Sequence, residues 1–240
     1  MVFMNWEDTG IVLRYRSYSE KQLIASVFTR QHGRVDGMIT RTKTAFPQPG
    51  DICSVHQKAR LENHLGTLKL ETKQSHSSLQ FCEATRIFAF KSMLELLVLL
   101  LPEHHPYPAL WEKVDHTLEF FYQKEKAIKA YCNFEVLLLE ELGFGLSLNV
   151  CVATGSTKNL THVSPKSGGA VCYESALPYI DKLFILPRFL IDETQAPTQE
   201  DCINALLLTG HFLSHHASHH KSLPLARQEL LQKLKDKNEI

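Results

Sequence analysis

Polar and apolar positions alternate from residue 10 to residue 72 and then change to a longer period. At the start of this stretch Ile11, Leu13 and Tyr15 fall on one face and Val12, Arg14 and Arg16 on the other, the spacing of a half-buried strand. Further runs at 23–29, 34–39, 52–57 and 65–71 are separated by the turn signals Ser19-Glu20-Lys21, Gln31-His32-Gly33 and Pro47-Gln48-Pro49-Gly50. A three-stranded meander followed by two more short strands predicts a small Greek-key barrel of the OB type.

From residue 81 the period is that of a helix. The segment 86–101 is apolar on several sides, so it is expected to run through the centre of a helical domain. A proline- and histidine-containing turn at 102–108 precedes helices at 111–122 and 126–142. The second of these has Phe134, Leu137, Leu138 and Glu141 at helical spacing and Gly143 as its stop. Between 148 and 175 the pattern reverts to a hairpin, with 160–163 and 170–172 flanking the turn 164–169. Thr198 and Asp201 form a capping-box pattern for a helix through Leu213, and Ser222-Leu223-Pro224 opens a last helix through Leu234. The expected fold class is therefore α+β. An OB-type nucleic-acid-binding domain spans 1–80, and a helical domain spans 81–240 with a β-hairpin insertion at 148–175.

Composition adds exclusions. The 240 residues are 44% apolar and 22% charged, within the soluble globular range. The formal net charge is zero, but residues 1–80 hold 11 Lys and Arg against 7 Asp and Glu, and residues 81–240 hold 15 against 19. The basic character thus belongs to the barrel. The longest apolar stretch, 93–101, contains Glu95 and ends at Pro102, far short of the ~20 residues of a membrane span. The first ten residues lack the basic-then-apolar order of a signal peptide, so the cytoplasm is the expected compartment and the six cysteines are expected as thiols.

Two constellations suggest metal and neither is complete. Cys151 and Thr154, then Cys172 and Ser175, have zinc-ribbon spacing with hydroxyls at two of four positions; hydroxyls are poor zinc ligands, so a closed site is not expected. His211 and His215, with His216, His219 and His220 nearby, have helical metal spacing, but Phe212 stands where a metalloprotease needs Glu. A solvated, histidine-rich helix end is the simpler reading. Gly155-Ser156-Thr157-Lys158 lacks phosphate-loop order, and no nucleophile elbow is present, so no catalytic residues are assigned.

The candidate binding residues are Arg14, Arg16, Arg30, Arg34, Arg41, Lys43, Lys58 and Arg60, interleaved with Tyr15, Tyr18, Phe28 and Phe46. Cations follow phosphates and aromatic faces stack on bases, so this mixture suits a DNA strand. Phe46, in the basic loop, is the stacking candidate, whereas Tyr15 is expected in the core beside Leu13. The competing reading is a protein-interaction adaptor with incidental DNA contact, favoured by the zero net charge.

Several further segments carry a family resemblance: 10–14, Tyr18-Ser19-Glu20, Phe28-Thr29 with Gly33, Gln48-Pro49-Gly50, Phe134-Glu135 with Leu142-Gly143, and 163–172. In these the chain resembles the RecO family of bacterial recombination mediators. The hairpin and the segment 208–213 are most similar to its alphaproteobacterial branch. The resemblance implies an N-terminal OB fold, a helical C-terminal domain, and a zinc-finger-like hairpin that holds metal in some relatives; here only the first Cys of each pair remains. It also implies binding of single- and double-stranded DNA, strand annealing, and cooperation with RecR to load RecA on DNA coated by single-strand-binding protein (SSB), all without bond-breaking chemistry. An apolar groove rimmed by Lys124, Lys126 and Lys129 is the expected seat for the acidic SSB tail. Between 41 and 48 relatives often carry a longer, more basic loop. Nucleoid association in the cytoplasm follows from the same resemblance.

Overall fold

The computed structural model describes residues 4–41, 46–59, 65–217 and 222–236. Backbone proximity groups them into two compact units, 1–83 with 90–122 and 84–89 with 123–240.

The first unit is built on β1 (Met4–Ser17), β2 (Gln22–Thr29), β3 (Gly33–Thr40), β4 (Ile52–Ala59) and β5 (Gly66–Gln74). β1 is long because two neighbours share it: 4–11 pair with β4 and 10–17 with β2, both antiparallel. β2 pairs with β3 and β4 with β5, and a short parallel contact at Gly37–Gly66 and Met38–Thr67 completes a closed ring in the order β1-β2-β3-β5-β4. Closure here rests on two residue pairs, so most of β3 and β5 meet no strand on that side. The periodicity placed the first strand's start at Gly10; the earlier half was hidden by its polar residues. Its alternation is nonetheless regular, with Trp6, Asp8 and Gly10 inward of Asn5 and Glu7.

One expectation about β1 is corrected. Its register shifts between Val12 and Arg14, so Leu13 is an extra residue in the ladder and the two faces exchange beyond it. Val12 joins the barrel core of Ala25, Val27, Val35, Cys53, Val55 and Leu68, and Tyr15 packs on that same cluster, which Leu13 does not join. Tyr15 is core-facing, as expected, but with a different partner. Ile11, Val12 and Leu13 are all buried.

Two helices belong wholly or partly to this unit, α1 (Ala84–Leu100) and α2 (Pro108–Phe120). The expectation that α1 runs through a helical domain is also revised: residues 90–100 group with the barrel and 84–89 with the second unit. Burial of Ala89, Met93, Leu94, Leu96, Leu97 and Leu100 accounts for its lack of a single apolar stripe. Arg34 on β3 donates to the Leu101 carbonyl at 2.9 Å and to Glu103 at 3.1 Å, tying the strand to the turn after α1. At the β2–β3 turn, Gly33 has φ +69°, and a Cβ there would lie 1.9 Å from the His105 carbonyl oxygen.

The second unit contains α3 (Lys124–Glu141), β6 (Ser147–Cys151), β7 (Leu160–Val163), β8 (Gly169–Cys172), α4 (Tyr173–Ala176), β9 (Phe184–Ile185), α5 (Gln199–Phe212) and α6 (Leu225–Asp236). The hairpin expected between 148 and 175 is present, but it sits in a four-stranded sheet of order β6-β8-β7-β9. The two-residue β9 is too short for periodicity to reveal. α3 stops at Gly143, φ +83°, with the Phe144 N–H donating to the Leu139 carbonyl at 2.8 Å. Thr198 and Asp201 form the expected reciprocal cap of α5, which ends in a π-turn over Leu213–Ala217.

A buried ion pair fastens this unit. Arg227 of α6 donates to both carboxylate oxygens of Glu135 on α3, at 2.8 and 2.9 Å, and to the Leu206 carbonyl of α5 at 2.6 Å. Tyr131 and Thr209 hydroxyls also donate to Glu135. Glu135 is 0% and Arg227 5% exposed. Burial works against the guanidinium's charge, and Glu135 more than restores it.

Two stability outcomes follow. Gly33→Ala combines a left-handed backbone with the clash at His105 and should lower the unfolding free energy by about 2 kcal/mol or more in urea titration. Arg227→Met strands the Glu135 carboxylate and should cost about 3–5 kcal/mol, whereas adding Glu135→Leu to the same chain should recover a large part of that loss.

Candidate nucleic-acid interface

The barrel gathers three of the candidate arginines around one carboxylate. Cross-strand register sets Arg14 of β1 opposite Ser26 of β2, and Ser26 opposite Asp36 of β3. Arg14 donates to Ser26 Oγ at 3.4 Å; Arg16 reaches Asp36 at 2.9 Å and Arg34 reaches it at 3.1 Å. Asp36 and Glu103, the second on Arg34 alone, are two carboxylates against three guanidiniums, so the face keeps one positive charge in excess. Burial, followed by the charge of Arg16, lowers the Arg14 pKa, and Asp36 opposes the shift. A guanidinium nevertheless stays charged at physiological pH.

The other candidates are spread out. Arg30, after β2, pairs with Glu112 at 2.6 Å and lies 5.5 Å from the Trp111 ring centroid. Arg41 is exposed at the end of β3, where its N–H donates to the Lys21 carbonyl at 2.8 Å. Lys58 is exposed on β4. Lys43 and Arg60 lie outside the described residues. Phe46 is not presented alone: its ring meets Tyr15 edge-on at 5.2 Å, while the Tyr15 hydroxyl donates to the Pro47 carbonyl at 2.7 Å.

Sequence reasoning missed Trp6, which preceded its first strand. The Trp6 and His32 rings stack at 4.0 Å and 6°, and His32 Nδ1 lies 3.1 Å from Asp8 Oδ2. Asp8 also accepts the backbone N–H groups of Thr9 and Gln31. The only available signal was the alternation of Trp6, Asp8 and Gly10.

In the second unit the four hairpin positions do converge. The Cys172 N–H donates to Cys151 Sγ at 3.2 Å; Cys172 Sγ lies 3.8 Å from Thr154 Oγ1 and 3.3 Å from Ser175 Oγ. Two thiols and two hydroxyls do not fit zinc, which wants four nitrogen or sulfur donors that ionise readily. The cluster is held together by hydrogen bonds. Burial of the Cys151 sulfur disfavours its charge, but the Thr154 hydroxyl and the N–H groups of Cys172, Ala153 and Thr154 outweigh that and bring its pKa from 9.0 down to about 6. The His211 and His215 ring centroids lie 4.6 Å apart with the rings tilted by 46°, and His211 Nε2 lies 3.1 Å from the Pro165 carbonyl. His219 and His220 lie outside the described residues, as does the side chain of His216. Lys129 donates to the Glu193 and Gln195 carbonyls at 2.6 and 2.7 Å, and Lys124 and Lys126 are exposed.

An arginine-bearing closed barrel in one unit and a helical unit with a small sheet in the other define a two-unit α+β protein. Family models divide the chain in a related way: residues 4–76 match Recombination protein O N terminal, and residues 83–224 match Recombination protein O C terminal. The chain belongs to the recombination protein O family. It is 42% identical over 214 residues to the DNA repair protein RecO of Xanthobacter autotrophicus, covering 88% of each chain. It is 38% identical over 241 residues to that of Bartonella bacilliformis, covering 95% of this chain and 96% of the relative. To the Sinorhizobium medicae protein of the same name it is 36% identical over 217 residues, 89% of this chain and 87% of the relative. Among the described residues no helix is long and apolar enough to cross a membrane.

The thiol cluster gives a pH-dependent outcome. Thiolate absorbance should show a titration centred near pH 6 that is lost in Cys151→Ser. Because folding lowers this pKa, the ionised sulfur adds stability that is fully present above about pH 9 and fades as pH falls through about 6. The same substitution should therefore flatten the stability profile across that window.

Proposed function

We propose that this protein is a DNA repair and recombination mediator that binds single- and double-stranded DNA through its barrel, which we read as OB-type. It would anneal complementary strands and, with RecR, promote RecA loading on SSB-coated DNA. The observation that carries the reading is the Arg14, Arg16 and Arg34 cluster on β1 and β3, supported by membership of a family whose relatives are named DNA repair proteins. Annealing requires two polyanions to approach, and an arginine face lowers their repulsion while its phosphate contacts leave the bases free to find register. No covalent bond is made or broken in this scheme, and no resident cofactor is assigned. The protein would act in the cytoplasm, at the nucleoid.

The three arginines differ in duty. Arg34 is largely buried and donates to the Leu101 carbonyl, Asp36 and Glu103, so it holds the face together; exposed Arg14 and Arg16 supply its reach to phosphate. For the SSB tail the candidates are Lys124, Lys126 and Lys129; Lys124 and Lys126 are exposed, and Lys129 also donates to the Glu193 and Gln195 carbonyls. The adaptor reading draws support from the acidic partners of Arg16, Arg30 and Arg34, which offset much of the barrel's charge.

Salt titration separates the two readings. Binding to single strands should weaken with a log–log slope of about −0.7 per phosphate neutralised, and the double variant Arg14→Ala/Arg16→Ala should make the slope shallower by about 0.7 per side chain removed. A wild-type affinity indifferent to salt favours the adaptor. Annealing of SSB-coated strands, with and without RecR, tests the mediator activity directly.

A further inference from the structure

Two cavities flank Trp6 on the barrel. One is an open cleft of about 640 Å³ lined by Trp6, His56, Gln57, Lys58, Thr67 and Lys69 among others. The second, of about 180 Å³, lies beside Trp6, His32 and Gln57. The larger falls within the usual range for small-ligand sites. Neither involves the arginine face or Phe46.

Three features equip the cleft for a flat, partly polar ligand. The indole is fixed before any ligand arrives: His32 covers one face at 4.0 Å, and Asp8 holds His32. Directly across the ladder from Trp6 stands Gln57, 5% exposed, whose amide oxygen has no hydrogen-bond partner among the described residues. A buried amide oxygen without a partner is costly and calls for an explanation. Rotation about its terminal bond, a soft torsion, turns either the oxygen or the NH₂ toward the cleft. The rim carries Lys58, Lys69 and His56, but Glu7 lies 3.7 Å from His56 and Glu71 lies 2.6 Å from Lys69. The cleft is therefore lined by the Trp6 ring, which also packs on the barrel core, and by a neutral amide, with little net charge.

We infer that this cleft is a nucleobase subsite, in which Trp6 stacks on one unpaired base of a DNA strand and the Gln57 amide bonds to that base's pairing edge. This deepens the DNA-binding reading and rests on it. Every base presents a donor and an acceptor side by side on its pairing edge, and a primary amide presents the complement, so the subsite tolerates any sequence. In a duplex that edge is occupied and both base faces are stacked. The subsite thus selects single strands, whereas the arginine cluster serves single and double strands alike through phosphate.

The test compares a fluorescently labelled oligonucleotide with one of equal length in which abasic sites replace the bases, so that charge is constant. The wild-type chain should bind the intact strand about tenfold or more tightly, the order expected for loss of base–aromatic stacking. Trp6→Ala should bring intact-strand affinity down to the abasic level while leaving duplex affinity and the salt slope unchanged, and Trp6→Phe should keep most of the preference. Gln57→Leu should weaken the preference without lowering the melting temperature, because it removes an unsatisfied polar atom. Equal wild-type affinity for the two strands, or a preference that survives Trp6→Ala, overturns the subsite while salt-dependent binding leaves the DNA-binding reading standing. Absence of any wild-type DNA binding at low salt defeats both.

Discussion

The sharing of β1 between two partners is the constraint on which the barrel depends. One half of this strand pairs with β4 and the other with β2, so a single continuous segment joins the two halves of the ladder. The bulge at Leu13 lies where that exchange occurs, and a bulge increases local twist and bends the strand. The ring closes around Val12, Ala25, Val27, Val35, Cys53, Val55 and Leu68.

Closure also positions the chemistry. Arg14 and Arg16 lie just beyond the bulge, in the β2-paired half; Arg16 converges with Arg34 on Asp36, and Arg14 reaches Ser26 on the neighbouring strand. Trp6 lies in the β4-paired half, across from Gln57. A charged face and an aromatic cleft are thereby carried on two halves of one strand, held in fixed relation by the same hydrogen-bond ladder. Asp36 limits mutual repulsion among the arginines at the cost of some of their field, a balance between stability and attraction for polyanions.

The second unit uses the opposite economy. Its helices are joined by one fully buried ion pair, Glu135 with Arg227, whose every strong contact is hydrogen-bonded. Its hairpin has zinc-ribbon spacing but the wrong donors, and hydrogen bonds to the Cys151 sulfur do the positioning that metal bonds do elsewhere. Both arrangements specify geometry through satisfied polar groups in a dry setting.

Local pattern determined much. Alternation located the five barrel strands, helical spacing located α1, α2, α3, α5 and α6, and cap chemistry at Thr198 and Gly143 marked helix ends, because each depends on neighbours within a few residues. The concentration of basic residues in the first third, and the residues that resemble the RecO family, were equally legible. Tertiary structure alone decided which of those arginines meet. It split the candidates into Arg14, Arg16 and Arg34 around Asp36, Arg30 with Glu112, and Arg41 and Lys58 apart from both, because cross-strand register is set by partners distant in sequence. It placed Tyr15 with Val12 through a one-residue bulge that no period count detects. The juxtaposition of Trp6, His32 and Gln57 likewise exists only once the ring has closed, since these residues come from three separate segments of chain.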